Sequence, residues 1–288
     1  MYNFNEFKLR KKSYGGANGN KISIIIEDEL YMLKLPQHAK KNENMSYANS
    51  SISEYLGCEI FKLLGVDTQK TILGYYTHNN VERLCVACKD FEGNGYALKD
   101  FASIKNQIID STSNGFGTDI YDVLQTIENQ MIMDPVELSK HFWNMFVIDA
   151  LLGNWDRHNG NWGFLYNQDT DDIKLAPIYD CGSCLFPQLD EGLITEILKD
   201  KQKMNARIYD FPTSALTINK KRINYYDFMS SHEFKECDDA IKRISKLIDL
   251  CKINNLIDEL DCITDNHKKF LKEIIKLRKE KLIDQNIL

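Results

Sequence analysis

The stretch Gly153-Asn154-Trp155-Asp156-Arg157-His158-Asn159-Gly160-Asn161-Trp162-Gly163-Phe164, followed by Ile178-Tyr179-Asp180-Cys181-Gly182-Ser183, decides how this chain is read. Asp156 stands five residues before Asn161, and Asp180 nineteen residues after it. Carboxylate and carboxamide oxygens are the hard ligands that a small divalent cation takes in octahedral geometry, with waters or phosphate oxygens completing the shell. Asn161 and Asp180 fit that role, and Asp156 can point across the same loop at a hydroxyl. Taken alone, the D-x-x-x-x-N spacing also describes a turn rich in Asn and Asp, whose side chains bond their own backbone. The flanks weigh against that plain turn. WGFLYN (162–167) and IKLAPIYD (173–180) read as two strands of a hairpin, and a hairpin starting after Asn161 returns Asp180, at the end of its second strand, to the loop.

Upstream of this stretch, Asp134-Pro135 opens a helix with Pro at its first position, and Gly153 ends it. Leu98 to Ile109 and Ile120 to Ile132 also have helical spacing. Nearer the start, KISIII and LYMLKL within 21–35 flank the acidic turn Glu27-Asp28-Glu29 and predict a β-hairpin. Pro36 stops the second strand, and the polar run from Gln37 to Asn49 reads as a mobile connection. A helix then carries Ile52, Tyr55, Leu56, Ile60, Leu63 and Leu64 on one face before Gly65. KTILGYY (70–76) and RLCVACK (83–89) are two further strands, and Gly93 and Gly95 break the pattern. The expected architecture is α+β in two lobes: residues 1–92 with a small antiparallel sheet and one helix, then residues 93–288, mostly helical. From about Glu191 onward the chain reads as helices with a Lys-rich final segment.

GNWDRHNGNWGF, the Tyr-Asp at 179–180, a strand Lys and a helix Glu together resemble the HipA-like serine/threonine kinases over nearly the whole chain. The resemblance implies a two-lobed protein-kinase-like fold, ATP and Mg²⁺ as cofactors, and transfer of the terminal phosphate to Ser or Thr hydroxyls of protein, including autophosphorylation. Carried onto this sequence, Asp156 matches the catalytic aspartate, Asn161 and Asp180 the metal ligands, and Lys34 the nucleotide-binding strand lysine. Cys181-Gly182 stands where ordinary kinases have Phe-Gly after the metal-binding Asp. Glu54 has two readings, an ion pair to Lys34 or a capping-box partner for Ser51 at the helix start. His158 is a secondary candidate, placed to contact the transferred phosphoryl group or to shape the loop. Gly16 and Asn18, in GGANGNK, would let backbone N–H groups approach phosphates with Lys21 adding charge, although the same run suits a solvent turn.

Composition narrows the alternatives. The chain has 288 residues, 43% hydrophobic and 27% charged, with 15 Gly and 5 Pro, which is globular and neither collagen-like nor disordered. A net charge of −6 gives no general attraction to a polyanion, so nucleic acid is not an expected partner, and no run of 18 uncharged apolar residues predicts a membrane span. The start lacks the apolar core of a secretory signal, so a cytoplasmic location where synthesised is expected, with export by a route lacking a cleavable signal left open. Cys85/Cys88 and Cys181/Cys184 have C-x-x-C spacing, but a strand and a run beside Asp180 suit buried thiols better than a zinc knuckle. Two further readings stay open: a phosphoinositide-type lipid kinase, whose loop has the same DRHxxN pattern, and a pseudokinase that only binds partners.

Overall fold

The computed structural model describes residues 1–15, 21–36, 49–108 and 115–287. Gly16, Asn18 and the run 37–48 therefore lie outside the described residues. The first part holds β1 (Tyr2–Asn3), β2 (Lys8–Arg10), β3 (Lys21–Ile26), β4 (Glu29–Lys34), α1 (Ser50–Leu63), β5 (Thr71–His78) and β6 (Val81–Lys89). These strands form one sheet in the order β1-β5-β6-β4-β3-β2. It is antiparallel except at one edge, where the short β1 runs parallel to β5. Glu27-Asp28 and Asn79-Asn80 close the two tight hairpins with both central residues at positive φ, the geometry whose twist matches that of the flanking strands.

Strand alternation sorts the side chains. Tyr31 and Leu33 on β4, with Cys85 and Ala87 on β6, join Phe4, Ile24 and Ile26 in a small core on one face of the sheet. Val86, Cys88 and the partly buried Met32 turn the other way into a large core shared with α1. Lys34, in step with Met32, therefore rises from the face that meets the rest of the molecule. The same alternation places Cys85 and Cys88 in different cores, on opposite faces, so they cannot act as a knuckle.

After the 90–95 segment come β7 (Tyr96–Asp100), α2 (Phe101–Ile108), α3 (Ile120–Asn129), α4 (Pro135–Leu152), β8 (Gly163–Asn167) and β9 (Asp172–Leu175). Leu98 to Asp100 are strand and not helix, because β7 pairs with β8 in a three-stranded sheet where Leu98 faces Leu165. The remainder is α5 (Glu191–Lys199), α6 (Lys201–Tyr209), β10 (Thr213–Ile218), β11 (Lys221–Asn224), α7 (Tyr225–Ser231), α8 (Lys235–Leu247), α9 (Leu250–Asp258) and α10 (Asp265–Arg278). The β10–β11 hairpin interrupts what the sequence reads as helices. Its turn, Asn219-Lys220, is again at positive φ in both residues. The largest core runs from α1 through α4, whose residues from Met145 to Leu152 are all buried, to α10. No helix among the described residues is long and apolar enough to cross a membrane.

Candidate active site

The site begins where α4 ends. Asp134 caps this helix by accepting from Val136 N, Pro135 occupies its first turn, and Gly153 closes it in the left-handed region at φ 65°. Asp149, a lone carboxylate in the apolar last turns, is 1% exposed. It accepts from Arg157 Nε at 3.0 Å and from Asn154 Nδ2 at 2.8 Å. Burial pushes its carboxyl up to about 6, against the opposing pull of Arg157. Arg157 then donates through Nη1 to the carbonyls of Asn161, at 2.8 Å, and Tyr179, and through Nη2 to Cys181 Sγ at 3.4 Å. One buried guanidinium thus binds α4, the 154–161 loop and the 179–181 segment together, and its rigid fork suits three directions at once.

Asp156 and Asn161 are fixed inside this frame. Asn154, fully buried, accepts from Asp156 N at 3.1 Å, while Tyr225 OH donates to Asn154 O at 2.6 Å. Asn161 Nδ2 donates to Asp156 O at 2.8 Å, which orients the amide, its Oδ1 being the atom able to accept or coordinate. Burial, and after it the nearby negative charge of Asp180, hold the Asp156 carboxyl above the ordinary aspartate range, while His158 and Arg222 pull the other way. His158 Nδ1 accepts from Gly160 N at 3.0 Å, so the ring shapes the loop with that nitrogen.

Lys34 comes from the sheet. Its ammonium donates to Glu54 Oε2 and Asp180 Oδ1, each at 2.9 Å. Glu54 is 1% exposed on α1, and its side chain turns to Lys34 rather than back to the helix start. The capping box does not form: among the described residues α1 starts after Asn49 with no side-chain cap, and Ser51 Oγ donates to Leu84 O at 3.3 Å. Burial raises the Glu54 carboxyl above its ordinary value, with Lys34 opposing. Lys34 itself titrates well above its usual range, because Asp180 and Glu54 outweigh the burial that disfavours its charge. Asp180 moves the other way, down to about 2, chiefly through Lys34. Lys21 pairs directly across from Lys34 in the β3–β4 register and donates to Gly15 O at 2.6 Å. Burial first, and then the charge of Lys34, lower its pKa.

Asp180 does not end the second strand. β9 stops at Leu175, ahead of Pro177, and Asp180 lies in irregular chain with φ 56°. The segment is set by Ile178, whose N–H donates to Asp67 O and whose carbonyl accepts from Gln69 N, both at 2.8 Å. Gly57 of α1 lets it approach closely, since a Cβ there would lie 2.6 Å from Cys181 Cβ. The result is a cleft of about 840 Å³ whose lining includes Lys21, Lys34, Glu54, Asp156, His158, Asn161 and Asp180. Gly15 also lines it; Gly16 and Asn18 are not among the described residues. Sequence reasoning gave no role to Asp149, Asn154 or Arg222, the last of which donates to Ser214 O at 2.8 Å and to Trp155 O beside Asp156. A lone Asp in the run VIDALL was the signal for the first.

The family model described as HipA-like C-terminal domain matches residues 12–260. The chain belongs to the HipA-like family. This HipA-like chain is 46% identical over 275 residues to the serine/threonine-protein kinase CtkA of Helicobacter pylori (strain J99), covering 95% of this chain and 83% of the relative. The crystal structure of a Helicobacter pylori proinflammatory kinase CtkA superposes with a TM-score of 0.91 at 44% identity, covering 99% of this chain and 97% of that one. HipA from Shewanella oneidensis, solved with HipB and operator DNA, shares the fold at a TM-score of 0.53 and 13% identity, over 96% of this chain and 68% of that one. Similarity of this extent to CtkA makes the HipA-like chain a kinase of the serine/threonine class.

Proposed function

We propose that the cleft binds ATP with Mg²⁺ between the parts formed by residues 1–92 and 93–288, and transfers the terminal phosphoryl group to Ser or Thr hydroxyls of protein, this chain included. One observation carries the reading: Lys34, Asp156, Asn161 and Asp180, drawn from a strand, a loop and an irregular segment far apart in sequence, line one cleft. Among the described residues no group of three or more His, Cys, Asp or Glu side chains is arranged to hold a metal alone. One Asp and one Asn oxygen, completed by nucleotide phosphates and water, is the donor set that suits magnesium. Asn161 Oδ1 and Asp180 would hold the ion, which when bound neutralises charge on the phosphates and aligns them.

The remaining roles belong to the chain. Lys34 neutralises phosphate charge from the sheet face, and the buried Glu54 fixes it there independently of Asp180, which would hold the metal. Asp156 orients the acceptor hydroxyl and takes its proton; because phosphoryl transfer has a loose transition state, positioning outweighs basicity. Arg157 keeps the hydroxyl-binding and metal-binding segments in register.

The test offers labelled ATP to the full chain, with and without Mg²⁺, in the presence of mixed protein acceptors and phosphoinositide vesicles. Label on Ser or Thr of protein, dependent on Mg²⁺, is the expected result. Label confined to lipid would point to the lipid-kinase reading, and ATP binding without transfer to any acceptor to the pseudokinase reading.

A further inference from the structure

Phe116 lies in the connection between α2 and α3, and its ring is 52% exposed. It belongs to neither apolar core. Single exposed apolar side chains are ordinary on a protein surface. Position and support set this one apart. Among the described residues it is the one strongly exposed large apolar side chain that lines the cleft holding Asp156. Its ring rests on the loop between Asp156 and Asn161, at a residue with no side chain: a Cβ on Gly160 would lie 3.1 Å from Phe116 Cε1 and 3.0 Å from His158 Cε1.

The backbone on both sides of the ring is fixed by buried polar groups. Asn159, itself in that loop and fully buried, donates through Nδ2 to Gly115 O at 2.9 Å and to Gly117 O at 2.8 Å. Lys105 on α2, also fully buried, donates to Gly117 O at 2.8 Å. Gly115, at φ 76°, lies so close to α2 that a Cβ would stand 1.8 Å from Ala102 O. Thr118 O accepts from Thr217 N at 2.8 Å, which joins the segment to β10. The loop that carries Asp156 thus also holds the carbonyls that flank Phe116, and the ring keeps a set place relative to that carboxylate. A rigid apolar surface left in water beside a reacting group is a preformed contact for a molecule that enters the site, since covering it is favourable and little ordering is required.

The occupant follows from the place. Lys21 and Lys34 on the sheet, with Asn161 and Asp180, supply charge complementary to phosphate and metal, to which an uncharged ring adds nothing. A kinase of the serine/threonine class seats a polypeptide at the carboxylate that orients its hydroxyl, so the residues flanking that hydroxyl pass over the same loop. We infer that Phe116 is a contact for the acceptor protein: its exposed face takes an aliphatic or aromatic side chain next to the Ser or Thr, so that transfer selects hydroxyls with an apolar neighbour. The inference rests on the reading given above, in which Asp156 orients a protein hydroxyl, and assigns acceptor selectivity within it. Gly160, under the ring, is four residues from Asp156 in one compact loop. An extended acceptor segment rises about 3.4 Å per residue, so the selected neighbour falls within about four residues of the hydroxyl.

The test offers the full chain labelled ATP, Mg²⁺ and a positional-scanning peptide library, in which a central Ser or Thr is flanked by each amino acid in turn. Wild type should label peptides with Leu, Ile, Met or Phe at one such position about 5- to 10-fold better than those with Gly or Asp there. Phe116→Ala should bring that ratio to within about twofold of unity, and Phe116→Leu should restore at least half of it. A ring that merely supports the loop would lower the labelling of all peptides alike, so an unchanged ratio in Phe116→Ala overturns the inference. So does a wild type with no apolar preference at any position. A Phe116→Ala effect confined to KM for ATP would set the ring against the nucleotide and equally overturn it. Labelling of intact proteins with no peptide labelled would place recognition in the acceptor's fold, which also overturns it. A wild type that labels no Ser or Thr of any acceptor, protein or peptide, would refute the proposed function itself, and this inference with it.

Discussion

Replacing Glu54 by Gln removes one charge from the Lys34 site with almost no change of volume. Two opposite charges 2.9 Å apart, as Lys34 and Glu54 are, attract by about 6 kcal/mol at an effective dielectric constant of about 20. Much of that is offset, because the substitution also relieves the burial of a carboxylate that is 1% exposed. Asp180 continues to hold Lys34, and the Gln carbonyl still accepts a hydrogen bond. Because burial raises the Glu54 carboxyl even against Lys34, the neutral amide should leave Tm within about 2 °C of wild type or raise it. In kinetics, a Lys34 released by α1 leans on Asp180, which the proposed function assigns to the metal, so kcat/KM for ATP should fall by about tenfold or more. Adding Lys34→Met removes the cation itself; Glu54→Gln/Lys34→Met should remain folded and be inactive. Thermal unfolding without nucleotide and initial rates against ATP measure the two effects. If Glu54→Gln leaves kcat/KM unchanged, or lowers Tm by more than about 5 °C, the reasoning is wrong.

Other substitutions test other parts of the site. Gly57→Ala places a methyl 2.6 Å from Cys181 Cβ, between two elements with no flexible side-chain end to give way. It should destabilise by about 1–3 kcal/mol and reduce transfer by separating Glu54 from Asp180; wild-type stability and rate in this variant would contradict the packing. On α4, burial first and then the charge of Arg157 bring His141 down to about 4. The unfolded chain therefore takes up a proton near pH 6.5, before the folded chain does, so this group's contribution to stability is present above that pH and is lost as pH falls toward 4. His141→Gln should flatten the dependence of Tm on pH within that window relative to wild type; identical slopes would exclude this contribution.

Where sequence and structure part, the reason is nonlocal. Asp156, Asn161 and Asp180 are legible because a short loop and a hairpin bring them together over few residues. The exact path to Asp180 is not, since Pro177 cannot extend the ladder and the turn at Asp180 depends on Ile178 bonding to Asp67 and Gln69. Glu54 fits a capping box and an ion pair equally well by spacing; burial opposite Lys34 decides, and only the packed fold supplies it. Leu98 to Asp100 carry apolar spacing that continues into α2, yet pairing with β8 more than sixty residues later makes them a strand. The β10–β11 hairpin turns on Asn-Lys instead of the stronger Asn-Gly signal, which hid both the hairpin and Arg222. Arg157 was visible only as a neighbour of Asp156, and its reach to three elements follows from the buried Asp149 that anchors it.

The most direct measurement compares single-turnover phosphate transfer in wild type and Asp156→Asn, with ATP affinity determined on the same preparations. The account predicts equal folding, ATP affinity within about threefold, and transfer reduced by about 10²- to 10⁴-fold. Transfer at the wild-type rate from a folded Asp156→Asn protein would contradict it.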